Sequence, residues 1–130
     1  VASTYTVTFT ADGAGGTSVS TQDIIVNDAI PAPLAGFSAS VNPATVNETI
    51  AFTNTSTDAD TYAWDFGDGV GTSNEANPSY SYGVAGTYTV TLNATGAGGS
   101  NSTSQDINVN DAAPVAPTGP LLYVSNSAGI

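Results

Sequence analysis

Carboxylates carry most of the chemistry that this chain can offer. It has eleven Asp and Glu residues but no Lys, Arg, His or Cys. A nucleophilic Ser or Thr needs a neighbouring base, usually His or Lys, so that mechanism is excluded. Paired carboxylates can hydrolyse glycosides, with Asp65 and Asp68 as the candidate pair. Simpler roles are favoured, with Asp68 capping a tight turn and Asp65 on the outer face of a strand, so the sequence predicts no enzyme.

A calcium site is the better chemical hypothesis. Asp58 and Asp60 lie in a polar loop that follows Asn54 and Ser56, and Asp68 follows the end of the next strand. Hard cations take six to eight oxygen ligands, several of them from carboxylates and backbone carbonyls. Calcium held by Asp58, Asp60 and Asp68 is therefore the predicted metal site. The alternative is an acidic loop that is simply solvated.

Four Asn-X-Ser/Thr sequons provide a second kind of modifiable site. They begin at Asn47, Asn54, Asn93 and Asn101. In a chain secreted by an archaeon or a eukaryote, such sites accept N-linked glycans. Glycans there would help to keep a weakly charged surface soluble.

The charge balance excludes several classes of partner. The formal net charge is -11, and only 8% of the residues are charged. Without cationic side chains the chain cannot neutralise phosphates, so nucleic acid and anionic membrane surfaces are excluded as partners. No apolar run reaches the roughly 18 residues of a membrane span. The hydroxyl-rich composition is typical of extracellular and cell-surface modules, and the absence of an initiator Met predicts a processed product or a piece of a longer protein.

One stretch must organise the fold around these sites. Tyr62, Trp64 and Phe66 alternate along the chain, so in an extended strand all three rings point to one face. Each ring can bury roughly 150–250 Å². The run ends at the tight-turn residues Asp68 and Gly69. A strand with one such face needs a second sheet to cover it, which predicts a sandwich.

Residues 64–69, Trp-Asp-Phe-Gly-Asp-Gly, resemble the signature of the PKD (polycystic-kidney-disease) domain. The resemblance extends over residues 35–111 and includes three further motifs, at 37–43, 77–82 and 86–92. It implies an all-β chain with an immunoglobulin-like antiparallel β-sandwich. It also implies a tyrosine corner at Tyr88, which joins Tyr62, Trp64 and Phe66 as the core signature, and it raises the expectation of calcium near the acidic loop.

An internal repeat sets the domain organisation. Residues 3–28 align without gaps to residues 86–111 at an offset of 83, with 16 identities in 26 positions. Residues 1–28 are therefore predicted to be the last two strands of a preceding PKD-like unit. A lone hairpin is marginally stable in water. Upstream residues, the neighbouring full domain or another chain must cover its apolar face.

The remaining boundaries follow from proline and from alternating apolar residues. Residues 29–34 form a Pro-rich linker, 35–111 the complete PKD-like domain, 112–120 a second Pro-rich linker, and 121–130 the start of a further strand or domain. Tyr80 and Tyr82 are predicted to alternate within one short strand. Tyr80 and Tyr123 are the aromatic residues expected to be exposed.

These patterns favour an extracellular structural or adhesive module of a tandem-repeat cell-surface, surface-layer or filament protein. Its expected partners are other copies of itself or neighbouring repeats. The sharper hypothesis is strand exchange between subunits, in which the hairpin of one chain completes the sheet of another. The alternative is an accessory domain of a secreted hydrolase that binds a polysaccharide or a fibrous protein.

Overall fold

The computed structural model describes residues 1–114, which form ten β-strands and no helix. This confirms the predicted all-β class. The strands are β1 (Ser3–Gly13), β2 (Gly16–Val26), β3 (Phe37–Ala39), β4 (Ala44–Thr45), β5 (Ile50–Asn54), β6 (Thr61–Asp65), β7 (Thr72–Ser73), β8 (Ser79–Tyr80), β9 (Gly86–Gly96) and β10 (Gly99–Asn110). The predicted strand at 121–130, and the second linker beyond Pro114, lie outside the described residues.

Eight of these strands form a two-sheet sandwich. One sheet has the order β4-β10-β9-β6-β7 and the other has the order β3-β5-β8. β4 runs parallel to β10, whereas the other neighbouring strands are antiparallel. β1 and β2 form a separate two-stranded sheet.

The aromatic face of β6 forms the centre of the core, as its alternation predicts. Trp64 and Phe66 are buried, and the ring of Phe52 from the opposite sheet lies 5.7 Å and 5.4 Å from theirs. The Trp64 indole N–H donates to the carbonyl oxygen of Glu75 at 2.9 Å, so its one polar atom is satisfied. Tyr62 is half-buried at the rim of this core.

The predicted tyrosine corner lies at the start of β9. The Tyr88 hydroxyl donates to the carbonyl oxygen of Val84 at 2.8 Å, and its ring stacks on that of Tyr82 with centroids 4.0 Å apart. Tyr82 is buried and donates to the carbonyl oxygen of Phe66 at 2.7 Å. Burial raises the pKa of the Tyr82 phenol well above its ordinary value of 10.0. These contacts fix β9 against the end of β6.

The structure corrects four details of the prediction. Tyr82 lies beyond β8, which ends at Tyr80, so the two tyrosines do not share a strand. Tyr80 is half-buried and stacks on Phe66 at 4.1 Å, so the expectation that it is exposed was wrong. β4 and β7 have two residues each and were not predicted. Leu34, assigned to the linker, already pairs with Thr57 in an isolated bridge.

The β1–β2 hairpin copies the β9–β10 hairpin in register. Ser3 pairs with Val26 and Gly13 with Gly16, while Gly86 pairs with Val109 and Gly96 with Gly99. Each residue of the first hairpin therefore has its counterpart 83 positions later in the second, which is the offset found in the sequence. The environments differ, because every residue of β1 and β2 except the half-buried Ser3 is exposed. The neighbouring domain therefore does not cover this hairpin in the structure.

Candidate functional site

The apolar face of the β1–β2 hairpin is exposed and has no partner among the described residues. Its exposed side chains include Tyr5, Val7 and Phe9, with Phe9 67% exposed. In β9 the matching Val90 and Leu92 are each 0% exposed. Monomeric proteins rarely expose contiguous apolar patches of more than a few hundred Å², and larger ones mark interaction sites. This face is the main candidate for function.

The acidic loop before β6 lies at one end of the sandwich. Asp58 is exposed and has a positive φ of 57°, and Asp60 is exposed and donates its backbone N–H to the Thr95 carbonyl oxygen at 2.8 Å. Gly96 packs so closely on the backbone of Asp58 that a Cβ would not fit there. The β9–β10 turn therefore supports the acidic loop.

Asp68 lies at the other end of β6, and its carboxylate is occupied. One oxygen accepts from the backbone N–H groups of Val70 and Gly71 at 3.1 Å and 2.7 Å, and the other accepts from the Tyr80 hydroxyl at 2.6 Å. The hydrogen bond from Tyr80 is the main cause that lowers the pKa of Asp68 below its ordinary 3.8. This geometry confirms the role of Asp68 in the turn.

The three predicted calcium ligands do not converge. Asp60 is bonded to Thr95, whereas Gly67, next to Asp68, packs on Thr89. Six residues of β9 separate these points, about 20 Å at about 3.3 Å per residue. Within residues 1–114, no group of three or more Asp, Glu, His or Cys residues is placed to hold a metal ion. Calcium bound by Asp58 and Asp60 alone stays a prediction.

The candidate glycosylation sites are spread over the sandwich. Asn47, Asn93 and Asn101 are exposed, and Asn54 is half-buried. The Asn101 side-chain oxygen accepts from the backbone N–H of Ala35 at 2.9 Å, and that of Asn54 accepts from Ser56 at 2.9 Å. Glycosylation stays a prediction at all four.

A shallow groove of about 600 Å³ lies beside β6 and was not predicted. Side chains from β6, β9 and the loop after β7 line it. The polar ones are Asp60, Thr61, Tyr62, Asn74, Asn93 and Thr95. Amides, hydroxyls and one half-buried ring suit a neutral ligand rich in hydroxyl groups. Sequence reasoning could not find this groove, because Asn74 belongs to the irregular stretch before β8.

The comparisons with known proteins place this geometry in a family. The family model described as PKD domain matches residues 28–110. The chain belongs to the PKD-domain family. The match begins two residues after β2, so the β1–β2 hairpin lies outside it.

Solved PKD domains share the fold. The PKD1 domain of Vibrio anguillarum Epp is 36% identical, with a TM-score of 0.54, and the match covers 63% of this chain and 98% of that one. The PKD1 domain of the Vibrio cholerae metalloprotease PrtV is 40% identical, with a TM-score of 0.52 and coverage of 62% and 99%. No curated protein matches.

A third similar structure is described as carbohydrate-binding modules of the β-sandwich superfamily with promiscuous specificity. It is 37% identical with a TM-score of 0.57, and the match covers 64% of this chain but only 36% of that one.

PKD domains are non-catalytic accessory modules. The carboxylates of Asp65 and Asp68 both accept backbone hydrogen bonds in the turn after β6. In the described part of this PKD protein, no helix has the length and hydropathy needed to cross a membrane.

Proposed function

We propose that this chain is an extracellular, non-catalytic structural module of a tandem-repeat cell-surface, surface-layer or filament protein. The observation that carries the proposal is the 83-residue repeat, which the β1–β2 and β9–β10 hairpins reproduce residue by residue. A second copy of the last two strands of a PKD domain within one chain is typical of a tandem-repeat protein. Such proteins form rods when proline-rich segments such as residues 29–34 join the units.

Subunits of such a rod are proposed to join by strand exchange. The exposed hairpin of one subunit would take the place of β9–β10 in the sandwich of its neighbour, and the shared burial would require no charged contact. This suits a chain that has eleven acidic residues and no Lys, Arg or His. An extracellular location is supported by the similarity to the PKD1 domains of the two Vibrio proteins.

Electron microscopy and light scattering of the intact chain test the assembly. We expect extended end-to-end assemblies whose amount grows with protein concentration. The substitution Val7→Asp should abolish them, because it places a charge on the apolar face of the hairpin. A chain that stays monomeric at every concentration would contradict exchange between copies of itself.

A second candidate function is polysaccharide binding as an accessory domain of a secreted hydrolase. Two observations favour it: the groove beside Tyr62, and the similarity to the carbohydrate-binding modules. Pull-down on insoluble chitin and cellulose, with collagen as a fibrous-protein arm, tests this role. Retention should fall in Asn74→Ala if the groove binds the polymer. Asn47→Gly is the control, because Asn47 does not line the groove and Gly fits its positive φ of 62°.

Calcium and glycans are proposed additions to either role. Asp58 and Asp60 are the exposed carboxylates that would meet the cation. Addition of calcium should raise the melting temperature of the intact chain, and Asp60→Ala should remove that rise. Intact mass spectrometry of the chain from its natural source tests Asn47, Asn54, Asn93 and Asn101. A mass equal to that of the bare sequence would exclude glycans at all four.

A further inference from the structure

The apolar face of the β1–β2 hairpin has almost the side chains that β9–β10 buries. Five of the six apolar inward positions are identical between the copies, including the pairs Tyr5 with Tyr88 and Val7 with Val90. At the sixth, Phe9 replaces Leu92. Phe9 lies opposite Ser20, whereas Leu92 lies opposite Thr103, so one side chain is larger and its cross-strand partner smaller. The two faces therefore have nearly the same shape.

The structure shows what covers that shape in the second copy. Val90 and Leu92 belong to one buried cluster with Phe52, Trp64 and Phe66. The three rings of that cluster come from residues 35–83. Tyr88 adds its stack on Tyr82, 4.0 Å between centroids. The hairpin face accordingly matches a set of rings that the first half of a PKD domain provides.

Glycines at the hairpin turns give an independent indication. Gly96 and Gly98 lie so close to the backbones of Asp58 and Pro31 that neither site has room for a Cβ. Among residues 1–114, nothing lies within 4 Å of a Cβ position at their counterparts Gly13 and Gly15. A glycine in a strand often marks close approach of another backbone. At Gly13 and Gly15 that backbone is missing from the described residues.

The hairpin cannot reach the first half of its own domain. Pro31 is held beside Gly98, and in a completed sandwich the hairpin would place Asn27 where Asn110 lies. Twelve residues of β10 separate Gly98 from Asn110, about 40 Å at about 3.3 Å per residue. The four residues from Asn27 to Pro31 span at most about 14 Å. That half is also already covered by its own β9–β10.

We infer that the apolar face of the β1–β2 hairpin docks on the first half of another PKD-like domain, a segment of the type of residues 29–83, in the register of β9–β10. The source, a neighbouring subunit whose own β9–β10 has left that half, rests on the proposed function, because β9–β10 covers the same half in the described structure. The docked segment carries rings at the positions of Phe52, Trp64 and Phe66. Its acidic loop packs on Gly13, and its linker packs on Gly15.

The covalent test places a copy of residues 29–83 directly before Val1 of the whole chain. In the repeat alignment Val1 corresponds to Val84, so this extension completes one unit. Amide exchange across β1 and β2 should slow by about a hundredfold or more relative to the unextended chain, because the hairpin would open only with its domain. Unchanged exchange would overturn the inference.

Two variants of the extended chain separate docking from general effects. Val7→Asp lies on the apolar face and should restore fast exchange. Thr8→Asp, next along β1 on the opposite face, should leave the protection intact. Equal effects of the two charges would contradict docking through the apolar face. The unchanged domain at residues 35–111 reports in each sample that the protein is folded.

The separate-chain test co-expresses the whole chain with a polypeptide of residues 29–83. A 1:1 complex in light scattering, with the hairpin protected, supports both the acceptor and its source in another subunit. If the hairpin is protected only in the covalently extended chain, the first half of a PKD-like domain is confirmed as the acceptor. A neighbouring subunit is then not its source, and the proposed strand exchange is contradicted. If the hairpin amides are protected in neither experiment, the first half of a PKD-like domain is not the acceptor. The same conclusion follows if the whole chain dimerises through its hairpins and the covalent extension does not dissociate that dimer.

Discussion

Two hairpins of nearly the same sequence lie in opposite environments in this protein. β1–β2 and β9–β10 share their register and their turn, with Gly16 and Gly99 at φ values of 126° and 128°. They also share a cross-strand bond on the polar face, from Thr6 to Asp23 at 2.6 Å and from Thr89 to Asp106 at 2.7 Å. Only the second is buried on its apolar face.

The comparison separates local from tertiary determinants. The turn glycines and the alternation of side chains are sufficient to specify the hairpin geometry, because both copies adopt it. Burial of the apolar face requires the rings of residues 35–83, which only β9–β10 meets here. Matched substitutions at positions 83 residues apart therefore measure what tertiary packing adds to the same local structure.

The largest difference is expected for a charge on the apolar face. Val90→Asp places an unpaired carboxylate at a position that is 0% exposed, which should cost on the order of 4 kcal/mol or more and leave the domain largely unfolded. Val7→Asp in the whole chain should change the free energy of domain unfolding by at most about 0.5 kcal/mol, because Val7 is exposed. Urea denaturation followed by Trp64 fluorescence measures both.

A comparable loss from Val7→Asp would mean that the hairpin already supports the domain, and would remove the contrast between the two regions. Monomeric samples at low concentration are the control, since docking between chains would otherwise add to the effect.

A second pair concerns the turn glycines. Gly96→Val should destabilise the domain by about 1–3 kcal/mol, since its side chain would collide with the backbone of Asp58. Gly13→Val should have almost no effect in the same chain, because no described residue lies within 4 Å of a Cβ at that position. Thermal unfolding of the two variants gives the difference, and equal melting temperatures would show that the Asp58 loop yields to the new side chain.

The sequence predicted the centre of the domain better than its edges. Trp64 and Phe66 were identified by alternation because large rings on one face leave few other arrangements. β4 and β7 were missed because two-residue strands have no period to detect. Asp60 and Asp68 are predicted to share a metal because the sequence does not show how far apart the loops at the two ends of β6 lie. The groove was missed because a loop supplies Asn74.

A third pair isolates one hydrogen bond. Tyr88→Phe keeps the ring stacked on Tyr82 but removes the bond to the Val84 carbonyl oxygen, 2.8 Å long, at a cost of about 1 kcal/mol. Tyr5→Phe should leave domain stability unchanged, since Tyr5 is exposed outside the sandwich. Urea midpoints resolve a difference of this size. A loss on Tyr5→Phe equal to that on Tyr88→Phe would contradict the separation of the two regions.

The smallest effect is a pH dependence that belongs to the domain alone. The Tyr80 hydroxyl lowers the pKa of Asp68 below 3.8 in the folded state. The Asp68 carboxylate therefore contributes its full stabilisation of the domain above pH 3.8. The stabilisation disappears as the pH falls through the lowered value. The same bond raises the pKa of Tyr80 above 10.0, so its contribution is complete below pH 10.0 and is lost as the pH rises through the raised value.

Tyr80→Phe should flatten both limbs of the stability profile measured by urea unfolding, whereas Asp68→Asn should flatten the acid limb and weaken the alkaline one. Amide exchange in β1–β2, corrected for the intrinsic pH dependence of exchange, should change with neither substitution, because Tyr80 and Asp68 lie in the sandwich and not in the hairpin. If Tyr80→Phe left the acid limb unchanged, other carboxylates would dominate it, and Asp68 would be a turn residue without a measurable role in pH stability.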